Sequence, residues 1–224
     1  MIEFQSVAHA YDGRPVLTDV SLTLAENRIG IVGANGSGKS TLARMINALV
    51  IPDRGQVLVN GVETARHKRR IRREVGFIFS DPDRQIIMPT VREDIELSLR
   101  RTDLSREDRA AAALAALARF GLADHADHPA QRLSGGQKQL LALASIFVTA
   151  PSIVVADEPT TLLDLRNSAM LREVFATLDE QLIVVTHDLD LIDDVDRVIV
   201  LDAGRVVADD APGPALAFYR RLMA

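Results

Sequence analysis

The segment Gly33-Ala34-Asn35-Gly36-Ser37-Gly38-Lys39-Ser40-Thr41 lies between an apolar strand signal, Arg28–Val32, and a helical pattern running from Lys39 to about Leu49. It matches the phosphate-loop pattern G-x-x-x-x-G-K-[ST] in the strand, loop and helix setting that gives the pattern its meaning. The chemistry dictates the residue types. Glycines let consecutive backbone N–H groups turn inward onto phosphate oxygens, and the helix N-terminus adds positive potential. Lys39 would neutralise charge on the β- and γ-phosphates, and the Ser40 hydroxyl would ligate Mg²⁺. A glycine-rich turn before a helix is the bland alternative.

About 120 residues further on, Ile153-Val154-Val155-Ala156 reads as a buried strand that delivers Asp157 and Glu158 at its C-terminal end, where parallel sheets bind ligands. Asp157 would hold Mg²⁺ through water, and Glu158 would polarise an attacking water. Leu133-Ser134-Gly135-Gly136-Gln137 precedes an apolar helical run. Ser134 and Gln137 have capping-box spacing, yet a capped helix start does not call for two consecutive glycines, each of which costs conformational entropy. Close approach of another group to the backbone would explain them, and a γ-phosphate at the helix N-terminus is the natural candidate.

Strand patterns around an Asp12-Gly13 turn in residues 2–24 predict an antiparallel opening. Residues 55–61 and 75–79 add strands, and the basic run 66–74 between them reads as a solvated helix face. Helical patterns then occupy 91–101, 106–120 and 136–148. Strands return at 153–156, 182–187 and 198–201, separated by helices at 165–177 and 189–193, and a helix over 214–223 comes last. Strands alternating with helices predict a mostly parallel sheet covered on both faces. With 26 Lys and Arg against 31 Asp and Glu, a net charge of −5, the chain lacks the overall basic footprint of a nucleic-acid binder. The absence of cysteine excludes disulfides, Cys-ligated zinc and thiol catalysis. The N-terminus shows no export signal, and the longest apolar stretch, 140–156, is divided by Pro151 into pieces too short to cross a bilayer. A cytosolic chain is the expectation.

GANGSGKST, LSGGQ, IVVADEP, Asp164 of TTLLD and His187 of VVTHD follow one another along nearly the whole chain. In that order they resemble the nucleotide-binding subunit of ATP-binding cassette (ABC) proteins. The resemblance implies an α/β fold of the P-loop NTPase (RecA-like) kind, with a mostly parallel sheet, an N-terminal antiparallel β-subdomain and an inserted α-helical subdomain. Residues 1–83 and 151–224 would form the nucleotide-binding part, and 84–150 the helical one. It also implies ATP and Mg²⁺, and two cassettes that face head to tail: a homodimer, which needs no helper because LSGGQ and Glu158 are both intact, or a pairing with a sister ATPase. Gly33, Ala34, Asn35, Gly36, Ser37, Gly38, Lys39, Ser40 and Thr41 of one subunit would then sandwich ATP against Ser134, Gly135, Gly136 and Gln137 of the other. By the same resemblance Tyr11 stacks on adenine, Ser40 and Asp157 bind magnesium, and Glu158 acts as general base. Asp164 would signal across the dimer, and His187 would hold the γ-phosphate.

One position departs from that family. After Val75–Phe79 the family usually has glutamine, whose amide reaches magnesium and the attacking water; here the residue is Ser80. A serine hydroxyl is shorter and reaches a metal only through water or by loop movement. Ser80 is therefore a candidate water-mediated metal contact, with a structural turn as the alternative, and Gln85 would need a rearranged loop to substitute. The segment from Ser80 to Asp94, with its P-x-x-Q element, looks like the energy-coupling factor (ECF) importers of vitamins and metal ions. Within that group GFIFSDPDRQIIMPTV and ADEPTTLLDLRN look most like the biotin-importer ATPases. That likeness implies a transmembrane coupling protein and a small substrate-binding membrane subunit as partners, no nucleic acid, and a peripheral place on the cytoplasmic face of the cell membrane. The alternatives are a cobalt or nickel ECF importer ATPase, a soluble ABC ATPase acting on nucleic acid, and a non-hydrolysing regulatory module. His125 and His128 have metal-ligand spacing but no third ligand in reach, and read as a loop.

Overall fold

The computed structural model describes residues 1–224, the side chain of Arg101 excepted. In chain order the elements are β1 Ile2–Tyr11, β2 Arg14–Leu24, β3 Arg28–Gly33, α1 Lys39–Ile46, β4 Arg54–Val59, β5 Val62–Glu63, α2 Lys68–Glu74 and β6 Val75–Ile78. There follow α3 Val91–Ser98, α4 Arg106–Arg119, α5 Gly135–Phe147, β7 Ile153–Asp157, α6 Leu165–Ala176, β8 Gln181–Val185, β9 Arg197–Asp202, β10 Arg205–Asp210 and α7 Pro212–Met223. Contacts divide the chain into two compact units. One holds Met1–Phe77, Ser152–Glu158 and Thr177–Ala224; the other holds Ile78–Pro151 and Pro159–Ala176. The sequence reading drew the helical part as 84–150 and left 159–176 with the sheets, whereas the contacts group α6 with α3, α4 and α5.

At the centre of the first unit lie strands whose composition leaves them no exposed face. Ile29, Ile31 and Val32 of β3, Val154, Val155 and Ala156 of β7, and Val198, Ile199 and Val200 of β9 are completely buried. Such continuous apolar runs suit a parallel sheet covered on both sides, and each buried Ile or Val contributes about 1.5–3 kcal/mol. The strand order is β10-β9-β3-β8-β7-β6, with β3 parallel to β8 and β9, and β7 parallel to β8. The C-terminal ends of β3, β7 and β8 therefore point the same way, and Asp157 stands opposite Val185 in register. A second sheet, β2-β1-β4-β5, is antiparallel in its pairings, as the opening residues suggested. Arg197 joins the two sheets. Its guanidinium donates to Asp209 at 2.6 Å, to Glu26 at 3.0 Å and to the Thr23 carbonyl at 2.8 Å. Bonds to Asp209 first, and to Glu26 after it, raise the Arg197 pKa despite partial burial.

Several elements differ from the sequence reading for local reasons. Helix α1 stops at Ile46 rather than near Leu49: Ala48 takes a left-handed φ of +56°, and Leu49 N–H and Val50 N–H both turn back to the Arg44 carbonyl. The helix expected at 189–193 is a single 3-10 turn, Leu189–Leu191. The last strand of the sheet, β10, was not anticipated. Its sequence RVVADD puts exposed carboxylates in a strand that pairs on β9.

In the second unit α3 and α5 begin with complete capping boxes, Thr90 with Glu93 and Ser134 with Gln137, and α4 is capped by Ser105 on Asp108 N–H. Asp94 of α3 is 4% exposed. One carboxylate oxygen accepts from Ile87 N–H at 2.8 Å and Met88 N–H at 3.0 Å; the other accepts from the Ser145 hydroxyl of α5 at 3.2 Å. One buried carboxylate thus pins the loop before α3 and the helix beside it. Asp94→Ala leaves those three donors unpaired and should cost about 2 kcal/mol or more. Asp94→Asn keeps an oxygen for both N–H groups and should cost less than half as much, measured by urea unfolding.

Candidate active site

In the first unit the phosphate loop leaves β3 at Gly33 and enters α1 at Lys39. Two glycines there are dictated by space. A Cβ on Gly33 would lie 2.1 Å from the Leu201 carbonyl oxygen, and one on Gly38 would lie 2.7 Å from the Val16 carbonyl oxygen, with Gly38 at φ +100°. Asn35 and Gly36 form the exposed tip, with Ala34 half-buried beside it, while Ser37 and Thr41 are buried. Ser37 N–H donates to the Ala34 carbonyl at 3.1 Å, which closes the loop. Helix α1 starts at Gly38 with no side-chain cap and no acidic residue in its first turn. Its first N–H groups are thus left for an external acceptor, the condition for an anion site.

Lys39 is 7% exposed, and its ammonium donates to the carbonyls of Gly33 at 2.7 Å and Ala34 at 3.0 Å. Burial pushes its pKa below the ordinary value, and the charges of Glu158 and Asp157 offset this only in part. A phosphate arriving at the loop would supply the negative charge that this buried cation lacks.

The acidic end of β7 meets the same helix. Asp157, 1% exposed, accepts from Ser40 Oγ at 2.8 Å on one oxygen and from the Arg44 guanidinium at 3.3 Å on the other. Ser40 and Asp157 are the hard oxygen donors that Mg²⁺ prefers, and they are already side by side. Glu158 follows in a left-handed conformation, φ +55°, with its N–H on the Val185 carbonyl at 2.8 Å. A non-glycine residue held there carries local strain of the kind found at functional sites. Its carboxylate lies 2.7 Å from His187 Nδ1 and accepts from His187 N–H at 3.3 Å. His187 is mostly exposed, just beyond β8. Tyr11, at the end of β1, is also exposed, with its ring edge-to-face against His9 at 4.7 Å between centroids.

The other predicted residues belong to the second unit. Ser134 N–H donates to Gln137 Oε1 at 2.9 Å, and Gln137 N–H to Ser134 Oγ at 3.3 Å. Gly136 is in part a packing glycine, since a Cβ there would lie 3.3 Å from Asn167 Nδ2; Gly135 has nothing nearer than 3.9 Å and keeps its face open. Asp164 accepts from Asn167 N–H at 2.8 Å and so caps α6. Ser80 is half-buried beyond β6. The sequence reading missed what holds the strand end beside it: Gln85 Oε1 accepts from Phe79 N–H at 3.5 Å while its Nε2 donates to the Ala142 carbonyl at 3.1 Å, and Gln139 Nε2 donates to the Phe79 carbonyl at 3.2 Å. Gln85 is thus occupied as a brace. Arg44 was also missed, because its partner Asp157 lies far along the chain.

An uncapped glycine-rich helix start, a buried lysine and a Ser–Asp oxygen pair at the ends of parallel strands define a nucleotide-triphosphate-binding α/β protein. Residues 17–161 match the family model described as ABC transporter, and the chain belongs to that family and carries its ATPase domain. A putative ABC transporter ATP-binding protein of Deinococcus radiodurans is 50% identical over 100% of this chain and 99% of its own length. The biotin transport ATP-binding protein BioM of Rhizobium etli is 44% identical over the same shares. The energy-coupling factor transporter ATP-binding protein EcfA1 of Caldanaerobacter subterraneus is 38% identical over 95% of this chain and 81% of its own. Among solved structures, the dimeric cassette MJ0796 in a post-hydrolysis state with ADP and Pi is similar at a TM-score of 0.83 and 30% identity, covering 95% of this chain and 99% of that one.

Gly33→Ala should destabilise the protein by more than about 3 kcal/mol, because the new methyl overlaps a backbone carbonyl that cannot move without unpairing β9. Gly36→Ala, at φ +81° but with nothing within 4 Å, should cost only the backbone penalty of about 1–2 kcal/mol. Thermal unfolding of the two variants checks the contrast.

Proposed function

We propose that the chain is the ATP-hydrolysing subunit of an ECF-type importer and that it works as a homodimer in which each ATP is enclosed by the phosphate loop of one copy and Ser134–Gln137 of the other. The observation that carries this reading is the Glu158–His187 pair beside the Ser40–Asp157 pair and the buried Lys39. Lys39 and the α1 N–H groups bind the β- and γ-phosphates. Ser40 and Asp157 are the residues that would hold Mg²⁺, whose charge would offset that of the phosphate oxygens when bound. Glu158 takes a proton from the attacking water. His187, whose ring N–H here faces the Glu158 carboxylate, supplies that N–H as the donor to the γ-phosphate. Tyr11 supplies an exposed aromatic face for adenine. Ser134, with the open backbone at Gly135, meets the γ-phosphate across the dimer, and Asp164 relays the closure from one copy to the other.

The likeness to BioM and EcfA1 supports a coupling protein and a substrate-binding protein in the membrane as partners, biotin as the solute, and a peripheral place on the cytoplasmic face. Among the described residues no helix is long and apolar enough to cross a membrane. The dimeric relative supports the homodimer. Labelled biotin retained with the membrane subunits that co-purify in mild detergent is the expected result; retained cobalt or nickel would overturn biotin as the solute.

Glu158→Gln should still bind MgATP, lose steady-state phosphate release by several orders of magnitude, and accumulate as a nucleotide-trapped dimer. Near-normal turnover would remove Glu158 from the role of base. A mixed dimer with Ser134→Arg in one copy and Lys39→Ala in the other should keep one working site, whereas either homodimer should be inactive.

We place Ser80 as a water-mediated metal contact. Ser80→Ala should then raise the Mg²⁺ concentration for half-maximal ATPase about tenfold, equivalent to about 1.4 kcal/mol. Superimposable Mg²⁺ titrations would reduce Ser80 to a turn residue.

A further inference from the structure

His125 and His128, which the sequence presents only as a loop pair, are joined to the Ser134–Gln137 segment by side-chain hydrogen bonds. His125 Nε2 lies 3.0 Å from Gln137 Nε2, and His125 Nδ1 lies 3.0 Å from His128 Nδ1. The protons in this chain can be assigned. Gln137 Oε1 is held by the Ser134 N–H, so the Gln137 amide turns its NH₂ toward His125. His125 Nε2 must then be the acceptor, which puts the proton of the neutral ring on Nδ1. That N–H donates to His128 Nδ1, and the His128 proton is left on Nε2. One direction of donation runs from Gln137 through His125 to His128.

The turn that carries the two histidines is itself anchored. Val91 N–H donates to the His128 carbonyl at 3.1 Å and Arg92 N–H to the Ala126 carbonyl at 2.9 Å, so the first N–H groups of α3 end on this turn. Ala130 N–H donates to the Pro89 carbonyl at 2.9 Å, and Arg92 pairs with Asp127 at 2.7 Å. A capping box alone leaves the Gln137 amide fixed at one atom, its oxygen. His125 fixes the nitrogen as well, against a turn bound to the start of α3.

We propose that His125 is a positioning residue for the nucleotide-contacting Ser134–Gln137 segment, with His128 as the group that sets its tautomer. The proposal rests on the reading that this segment completes the ATP site of a second copy. His125 touches no nucleotide; it acts through Gln137 and the Ser134 backbone.

The test pairs ring spectroscopy with steady-state kinetics on the full chain. Long-range ¹H–¹⁵N spectra of the wild-type histidine rings should show His125 as the Nδ1–H tautomer and His128 as the Nε2–H tautomer. His125 found as the Nε2–H tautomer would overturn the proposal, whatever the variants do. His125→Ala should lower kcat at least fivefold while ATP affinity of the monomer stays within twofold of wild type. His125→Gln, whose Oε1 reaches about where Nε2 stood, should restore kcat to within twofold, and the shorter His125→Asn should not. A kcat for His125→Ala within twofold of wild type, alongside an inactive Ser134→Arg, would refute the positioning role and leave the composite site standing. Full activity in Ser134→Arg as well would bring down both.

Discussion

A buried ammonium with too little negative charge around it organises this protein. Lys39 is turned toward two backbone carbonyls, and its pKa is lowered by burial that Glu158 and Asp157 only partly offset. Holding it there requires a loop too tight for side chains at Gly33 and Gly38, a helix that starts without a cap, and parallel strands whose ends bring the acids of β7 to the same place. The tight loop and the uncapped helix start each cost stability. The apolar strands beneath, buried on both faces, outweigh that cost and make the loop a rigid cradle.

What the sequence disclosed was what is local. The tight glycines of the phosphate loop, the strand end that carries Asp157-Glu158 and the Ser134–Gln137 box each lie within a few residues, so spacing alone predicts their local geometry. The apolar strands of the parallel sheet were legible for the same reason. Partners far apart along the chain were not. Arg44 meets Asp157, Asp94 meets Ser145, and Gln85 meets the Ala142 carbonyl only once the chain has folded, and no short-range pattern marks either member of these pairs. His125 illustrates the limit: the spacing to His128 was visible, but its bond to Gln137 was not.

In the second unit hydrogen bonds tie loops to helices whose buried faces carry Ile95, Leu117, Phe120, Leu141 and Leu143. Helices α3 and α5 share the Asp94–Ser145 bond, the loop before α3 is held by Asp94 and Gln85, and the turn at 126–130 is tied to α3 through backbone bonds. The segment after Ser80 and the segment before α5 are therefore parts of one polar network. A change in either is felt by α3, since both end on it.

Strand β10 has a different consequence, which concerns crowding rather than chemistry. An open sheet margin offers unpaired N–H and C=O groups to any neighbouring chain, and extended apolar margins nucleate aggregates. Here the outermost strand ends in Asp209 and Asp210, both exposed, with Arg197 claiming Asp209 from the strand behind. A second molecule adding its own strand would set these carboxylates against its own. Self-assembly by ladder extension is discouraged at this border.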